Sequence, residues 1–299
     1  MFRRTTTPTL VAAATCSLAF FSLAACTARD SDAGAGREAD STATAAVAPA
    51  TPNVVTVTAR DFAFDAPAEI PSGMTTFHLV NNGPDVHHIQ LVKLEQGKTM
   101  DELISSLKPE KPMPDWAVQM GGPNTPRPGG GISDGTLKLE PGNYAMICLI
   151  PAPDGVPHFV KGMTKALTVT AATTPSAPEP VANIVVKLVD YDFEFSQPLT
   201  PGRHTIRFEN PGPQAHEMFI AKLSPGTTAG QFLDWISKPK GPPPAEPIGG
   251  ITSIERGGVN FFTGDFPAGD YGLYCFEPDE KSGKPHLAHG MMKQIKVGE

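Results

Sequence analysis

The sequence predicts an all-β protein built from two tandem Greek-key β-sandwiches, each with one short inserted helix. Three observations lead to this fold class. Short runs of β-branched and aromatic residues alternate with glycine and proline punctuation along most of the chain. One amphipathic stretch with a capping signal interrupts each series of predicted strands. The whole pattern occurs twice, about 128 residues apart.

The first 25 residues are typical of an export signal. Arg3 and Arg4 precede an uncharged apolar run at residues 10–25, which is too short to span a membrane comfortably. The run ends in LAAC, which resembles the lipobox of bacterial lipoproteins and implies cleavage before Cys26 and lipidation of its thiol. Ordinary cleavage without a lipid is the alternative. We expect an exported protein that contacts a bacterial membrane only through this N-terminal lipid and faces the periplasm or the cell exterior.

Residues 26–52 predict a disordered tether, because Ala, Thr, Ser, Asp and Gly offer too little apolar surface to offset the entropy of ordering. The rest of the chain predicts domain 1 at residues 53–171, the proline-rich linker ATTPSAPEPVA at 172–182 and domain 2 at 183–299. No segment after the signal has the pattern of a membrane-spanning helix. The formal net charge of -7 at pH 7 argues against a nucleic-acid partner.

Four motifs recur in the same order in both predicted domains and indicate an internal duplication. DFAF pairs with DFEF, NNGPDVHHIQLVKL with NPGPQAHEMFIAKL, LEPGNYAMIC with FPAGDYGLYC, and PHFVKGM with PHLAHGM. The first of these pairs places Asp61 opposite Asp192.

Each repeat is predicted to be mostly strand with one helix. In domain 1 the strand-like runs are VVTVTARDFAF, TTFHLV, HIQLVKL, NYAMICLI and KALTVT. Thr99 with Glu102, and Thr228 with Gln231, form capping-box patterns that start the two helices. The apolar stripes that follow are Met100, Leu103, Ile104 and Leu107, and Ala229, Phe232, Leu233 and Ile236. We expect these stripes to pack in the core rather than to face a cofactor or a membrane.

The cysteines leave two candidates for chemistry in the folded domains. Cys16 lies in the signal and Cys26 in the lipobox, so Cys148 and Cys275 remain. In an oxidising compartment two remaining cysteines would normally pair with each other. The duplication disfavours this pairing, because the two residues are equivalent positions in separate domains and would have to lie within disulfide reach across the interface.

Each of these cysteines ends a predicted strand and opens a loop that carries further metal-ligand types. Alternation along YAMIC places Cys148 on an inward face, and His158 and Met163 follow in the same loop. His87 stands at the start of another strand. The equivalent residues in domain 2 are Cys275, His286, Met291 and His216. Two imidazoles, a thiolate and a thioether disfavour calcium, magnesium and catalytic zinc, and suit a copper ion that cycles between Cu(I) and Cu(II).

The motifs NNGPDVHHI, PGNYAMIC and Cys-x9-His-x4-Met, with NPGPQAHEM, AGDYGLYC and Cys-x10-His-x4-Met, resemble the cupredoxin (blue-copper) family. The resemblance covers both domains and implies eight-stranded cupredoxin-like Greek-key sandwiches with one or two type 1 copper ions. By position, the implied ligands are His87, Cys148, His158 and Met163, and His216, Cys275, His286 and Met291. The sequence departs from the family pattern in two respects. The loop between Cys and His is longer than in plastocyanin-like members. The residue after the first histidine, often Asn in the family, is His88 or Glu217 here.

Three functions fit these residues. An electron carrier needs only a type 1 site and a docking surface for a redox partner protein, which the sequence does not identify. A nitrite reductase-like or multicopper oxidase-like enzyme needs further copper, but the chain has no His-x-His pair. A metal-free binding or scaffold lipoprotein is the third reading, because a cupredoxin sandwich can lose its metal and keep its fold. We expect an electron carrier and no enzymatic activity.

Four histidines stay outside the implied ligand sets. His88 and His289 are predicted to be surface residues, although His289 could compete with His286 as a ligand. His78 and His204 occupy non-equivalent positions of the repeat and receive no function. The sequence shows no nucleophile triad, nucleotide-binding loop or carboxylate pair that would indicate another chemistry.

Overall fold

The computed structural model describes residues 50–108 and 111–298. Its strands form two series, which we call the first half (residues 53–171) and the second half (residues 183–298). The first half contains β1 (Asn53–Arg60), β2 (Ala63–Asp65), β3 (Glu69–Pro71), β4 (Gly73–Asn81), β5 (Gln90–Leu94), α1 (Met100–Ser106), β6 (Ala117–Gly121), β7 (Gly131–Leu139), β8 (Gly142–Ile147) and β9 (Thr164–Thr170). The second half contains β10 (Ile184–Val189), β11 (Asp192–Phe195), β12 (Gly202–Glu209), β13 (His216–Leu223), α2 (Ala229–Ser237), β14 (Ala245–Ile254), β15 (Val259–Phe266), β16 (Gly269–Tyr274), a 3-10 turn (His286–His289) and β17 (Met292–Val297).

The fold class agrees with the prediction in its main features: the chain is all-β, with two sheet layers and one α-helix in each half. Both sheets run through both halves. Sheet I has eight strands in the order β11-β10-β12-β15-β7-β4-β1-β2, and sheet II has nine in the order β17-β16-β13-β14-β6-β5-β8-β9-β3. The short strand β3 gives the first half nine strands where the family resemblance implied eight.

The two halves join edge to edge with a local two-fold pattern. In sheet I, β7 pairs antiparallel with its equivalent β15, and Phe262 lies opposite Gly135. In sheet II, an isolated bridge pairs Pro123 with Ile251, which occupy equivalent positions of the repeat. A second bridge pairs Pro126 with Ile248. The junction therefore has the self-complementary form that symmetric interfaces show.

Each half has its own apolar core between the two sheets. In the first half the alternating inward residues of β1, β4, β7 and β8 meet in one cluster that also holds Cys148 and Met163. In the second half the corresponding cluster holds Cys275 and Met291. The predicted inward face of the cysteine strands is confirmed, because Tyr144 and Met146 lie in the same cluster as Cys148.

The two helices cover the outer face of sheet II and begin where the capping boxes predicted. Thr99 accepts from the backbone N–H of Glu102 and caps α1, and Thr228 caps α2 in the same way through Gln231. Their stripes pack into apolar clusters with strand residues such as Val92 and Phe219. The prediction that the stripes are core packing is therefore confirmed.

Some of the sequence predictions lie outside the described residues. These are the signal at residues 1–25, the lipidation of Cys26 and the tether as far as residue 49. Within residues 50–108 and 111–298, no helix is long and apolar enough to cross a membrane. The predicted linker is packed against the first half, since the Ser176 hydroxyl accepts from the backbone N–H of Met74 at 2.9 Å.

Glycine pairs at the end of β6 and within β14 allow the close approach of backbones at the junction. Gly122 has φ of +136°, and a Cβ there would lie 2.5 Å from the carbonyl oxygen of Ile89. Its N–H donates to the side chain of Asn260 across the junction at 3.1 Å. Only glycine combines this positive φ with the close approach to the carbonyl oxygen of Ile89.

We predict that Gly122→Ala lowers the free energy of unfolding far more than Gly129→Ala. Both residues have positive φ, but a Cβ at Gly129 would meet nothing within 4 Å. The Gly129 variant should lose about 1 kcal/mol from backbone strain alone, and the Gly122 variant about 2 kcal/mol more from steric overlap. Urea unfolding of both variants measures the difference, and equal losses would contradict the close approach.

Candidate metal centres

In the first half, three side chains from two distant segments converge in the interior. His87 Nδ1 lies 3.1 Å from His158 Nδ1, and Cys148 Sγ lies 3.5 Å from the same nitrogen. The ligand atoms of all three residues lie within 4.8 Å of one another, and each residue is at most 1% exposed. Sequence spacing predicted this set, and the structure brings it together.

The Cys148–Met163 loop is closed on itself by backbone hydrogen bonds. The N–H of Cys148 donates to the carbonyl of Met163 at 3.2 Å, and the N–H of Phe159 donates to the carbonyl of Cys148 at 2.9 Å. The N–H of Met163 in turn donates to the carbonyl of His158 at 2.9 Å. Because these bonds fix the two ends of the loop, the sulfur of Cys148 and the ring of His158 stay on the same side of it.

The second half repeats this geometry. His216 Nδ1 lies 3.0 Å from His286 Nδ1, and Cys275 Sγ lies 3.5 Å from His286 Nδ1. The N–H of Cys275 donates to the carbonyl of Met291 at 3.2 Å, which closes the longer loop in the same way. Met163 and Met291 are fully buried in the same clusters as the two cysteines, and a thioether ligand at each stays a prediction.

A carboxylate that the sequence did not connect with these sites adjoins the first histidine of each group. His87 Nε2 donates to Asp61 at 2.7 Å, and His216 Nε2 donates to Asp190 at 2.7 Å. An ionised carboxylate can only accept, so it fixes the proton on Nε2 and leaves the Nδ1 lone pair facing the other donors. Gly83 makes room for this pair, because a Cβ there would lie 2.7 Å from His87 Nε2.

The carboxylates also correct the alignment of the repeat. DFAF was paired with DFEF by letter identity, which set Asp61 opposite Asp192. In the structure the equivalent of Asp61 is Asp190, since each bonds the first histidine of its group. The same shift of two positions sets Phe64 opposite Phe193, and each of these residues lies in the core of its half. Geometry defines the correspondence here, and the similarity of the two tetrapeptides was misleading.

Burial keeps the donors uncharged when no cation is bound. It lowers the pKa of His87, His158 and His216, and lowers the pKa of His286 to about 4. Burial also raises the pKa of the Cys148 thiol to about 12 and raises that of Cys275 well above its usual value. A bound cation reverses the preference at sulfur, because a coordinating thiol loses its proton.

The residues after the first histidines are buried, which makes the prediction of a surface position for His88 wrong. His88 Nε2 accepts from the backbone N–H of Leu149 at 3.0 Å, and burial lowers the pKa of His88 to about 3. Glu217 has the same role in the second half and accepts from the N–H of Phe276 at 3.0 Å. The side chain after the first histidine therefore bonds the residue after the cysteine in each half: His88 bonds Leu149, and Glu217 bonds Phe276.

Glu217 has a buried acidic neighbour that was also missed. Burial, with the nearby Glu277, raises the pKa of Glu217 to about 8, and burial raises the pKa of Glu277 to about 7. The equivalent of Glu277 in the first half is Ile150, so the repeat contained no signal for this acidic pair.

The other spare histidines have separate partners. His289 is exposed, as predicted, and bonds the Ser282 hydroxyl at 2.9 Å while His286 joins the buried group. His78 bonds Asp134 at 2.6 Å. His204 contacts the side chain of Asn183 at 2.7 Å and donates to the carbonyl of Thr200. Each of the three therefore has a partner outside the two His–Cys–His groups.

The donor sets fit copper in both halves. Two imidazole nitrogens and one sulfur converge without a carboxylate in the set itself, and this combination suits a copper ion. His158 Nδ1 is the ring atom that faces the other donors, and the buried Nε2 has no hydrogen-bond partner among the described residues. The two groups are therefore candidate copper sites.

Comparisons with known proteins give structural neighbours only. No protein-family model and no curated protein matches the chain. Reduced auracyanin from Roseiflexus castenholzii is similar at 24% identity and a TM-score of 0.26, over 40% of this chain and 98% of that one. Blue copper oxidase from Nitrosomonas europaea is similar at 15% identity and a TM-score of 0.26, over 83% of this chain and 86% of that one. Copper nitrite reductase from the same organism is similar at 14% identity and a TM-score of 0.24, over 83% of this chain and 94% of that one.

We predict that both folded-state thiols are free and unreactive in the metal-free protein. Within the part of the chain that the structure describes, Cys148 and Cys275 form no disulfide and are fully buried, and a protonated buried thiol is a poor nucleophile. Iodoacetamide without reductant should leave both residues unmodified in the native protein and alkylate both in denaturant, as mapped by peptide mass spectrometry. A peptide pair linked through Cys148 and Cys275 would contradict this arrangement.

Proposed function

We propose that the protein is a copper-binding electron carrier with a type 1 copper site in each half. The observation that carries this proposal is the convergence of two Nδ1 atoms and one sulfur within 4.8 Å in both halves. The ligands proposed for the first site are His87, Cys148, His158 and Met163, and those for the second are His216, Cys275, His286 and Met291. Bound copper would supply a one-electron couple between Cu(I) and Cu(II).

The burial of the sites supports electron transfer over catalysis on a bound substrate. The six histidine and cysteine ligands are at most 1% exposed, so a substrate has no direct access to the donor atoms. An electron can pass through packed side chains, whereas a substrate must touch the metal. The closed loops and the Asp61 and Asp190 bonds hold the donors in place while the charge changes.

A partly exposed aromatic ring packs against each loop histidine. Phe62 packs edge-on against His158 with ring centroids 4.8 Å apart, and Tyr191 packs against His286 at 5.2 Å. Both aromatic side chains are partly exposed. We propose these rings as the contact points at which a redox partner protein exchanges electrons with the two sites.

The cellular setting forms part of the proposal. The export signal and the lipobox at Cys26 support a lipid anchor that holds the two halves outside the cytoplasm. A redox partner would then be another exported or membrane-bound protein. Comparing lipid-labelled protein with a Cys26→Ser variant by mass spectrometry tests the anchor independently of copper.

We predict that the purified full chain binds Cu(II) with an intense visible band from thiolate-to-copper charge transfer. Cys148→Ser and Cys275→Ser should each remove about half of the absorbance, and the double variant should remove all of it. A colourless protein that binds no copper would support a metal-free scaffold instead. Consumption of nitrite or oxygen by the copper-loaded chain would move the assignment to an enzyme.

We also predict that Asp61 supports copper binding at the first site. In a Cys275→Ser background, where only the first site gives the band, Asp61→Ala should weaken copper affinity by roughly 10- to 100-fold. Asp65→Ala is the matched control, since Asp65 is an exposed carboxylate in the adjacent strand β2. Copper titration measures both affinities, and equal values for the two variants would contradict the role of Asp61.

A further inference from the structure

The junction in sheet II is lined with buried polar side chains that bond across the two halves. The side chain of Gln90 bonds the backbone of Ser253, and Gln119 donates to Glu277 at 3.1 Å. Asn124 donates to Glu217 at 3.0 Å. Buried polar groups in such a network are costly to leave unpaired, so each contact fixes the geometry of its partner.

Glu217 is the member of this network nearest to a metal centre. One carboxylate oxygen accepts from the N–H of Phe276, the residue after Cys275, and the other accepts from Asn124. The backbone N–H of Glu217 also donates to Cys275 Sγ at 3.5 Å. This side chain thus links the strand that carries His216 to the loop that carries Cys275.

Hydrogen bonds on every side hold the Asn124 amide in the orientation that reaches Glu217. It is 2% exposed, and its Oδ1 accepts from the backbone N–H of Thr125 at 2.8 Å. Its Nδ2 also donates to the carbonyl of Ile251, and its backbone N–H donates to the carbonyl of Gly250 at 3.1 Å. A residue of the first half is therefore anchored on the second half and completes the bonding of Glu217.

The first site is closed by residues of its own half. His88, at the position of Glu217, accepts from Leu149 within the first half. The equivalent of Asn124 is Thr252, whose hydroxyl donates to the carbonyl of Ile89 rather than to the His88 side chain. The two copies of the site therefore differ in what holds the residue after the cysteine.

We infer that Asn124 is a positioning residue of the second metal centre, so that the first half completes the Cys275 site through Glu217. The inference rests on the proposed copper function for its spectroscopic consequence, but its structural part holds for the metal-free chain. Without the Asn124 amide, one oxygen of Glu217 is buried and unpaired. The Glu217 side chain then reorients, and the Phe276 N–H and the Cys275 loop lose their fixed position.

A single-site background isolates the effect on the second centre. In Cys148→Ser protein loaded with Cu(II), Asn124→Ala should shift the thiolate band or reduce its intensity at least by about half. Asn260→Ala is the matched control, because Asn260 is equally buried and bonds Gly122 and Met120 across the same junction without touching Glu217. The charge-transfer band of the Asn260→Ala variant should be the same as that of the Cys148→Ser parent.

Amide hydrogen exchange provides a readout that needs no copper. In the metal-free protein, Asn124→Ala should speed exchange of the Phe276 N–H by about tenfold relative to Asn260→Ala, as expected for the loss of one buried hydrogen bond. The exchanged pair Asn124→Asp with Glu217→Gln should restore part of the protection, because the new amide at 217 can donate to the new carboxylate at 124, although the carbonyl of Ile251 loses its donor.

The outcomes separate the two proposals. A colourless Cys148→Ser parent with faster Phe276 exchange in Asn124→Ala would remove the copper function and retain the positioning role. A coloured parent with an unchanged band and unchanged exchange in Asn124→Ala would overturn the positioning role alone. Equal changes in Asn124→Ala and Asn260→Ala would also overturn it, since a loosened junction would then be sufficient.

Discussion

The structure depends on holding bare imidazole nitrogens and a sulfur against one another inside an apolar core. Each of these atoms would be better solvated in water, and three buried polar atoms facing a common point are unfavourable unless something binds them. The fold bears this cost by closing the loop between Cys148 and Met163 with backbone bonds and by engaging His87 Nε2 with Asp61. A bound cation of suitable softness would remove this cost.

The local parts of this arrangement could be predicted from the sequence because they follow from short-range patterns. Alternation placed Cys148 on the inward face of β8, and the capping boxes located both helices. The His–Cys–His sets were found because the same donor types recur in the same order. The ligand role of the two methionines stays a prediction.

Other parts could not be predicted, because they depend on contacts between distant segments. The pairing of β7 with β15 needs a register that no local pattern specifies. Asp61 was aligned with the wrong aspartate, since letter identity outweighed a two-residue shift that only the site reveals. His88 was placed on the surface because a histidine beside a polar turn carries no sequence signal of the Leu149 N–H that it accepts.

The two halves are copies in fold but differ around their centres. Phe62 corresponds to Tyr191, Asp85 to Gln214, and His88 to Glu217. Gln214 Oε1 lies 3.5 Å from His286 Nε2, whereas the corresponding nitrogen of His158 has no partner among the described residues. Different neighbours would give metal ions at the two sites different electrostatic surroundings, so the two copies of the site are not equivalent.

The edge-to-edge junction has a consequence for the behaviour of the chain in a crowded compartment. Strands β6, β7, β14 and β15 would each be an open edge in an isolated sandwich, able to recruit a strand from another molecule. Joining the halves places these edges against each other, with β7 paired to β15 and β6 to β14. The outermost strands that are left are β2, β3 and β11, of four residues or fewer, and β17, which carries Lys293 and Lys296. Short or lysine-bearing edges resist intermolecular strand addition, so the same pairing that unites the two halves also protects the protein from aggregation.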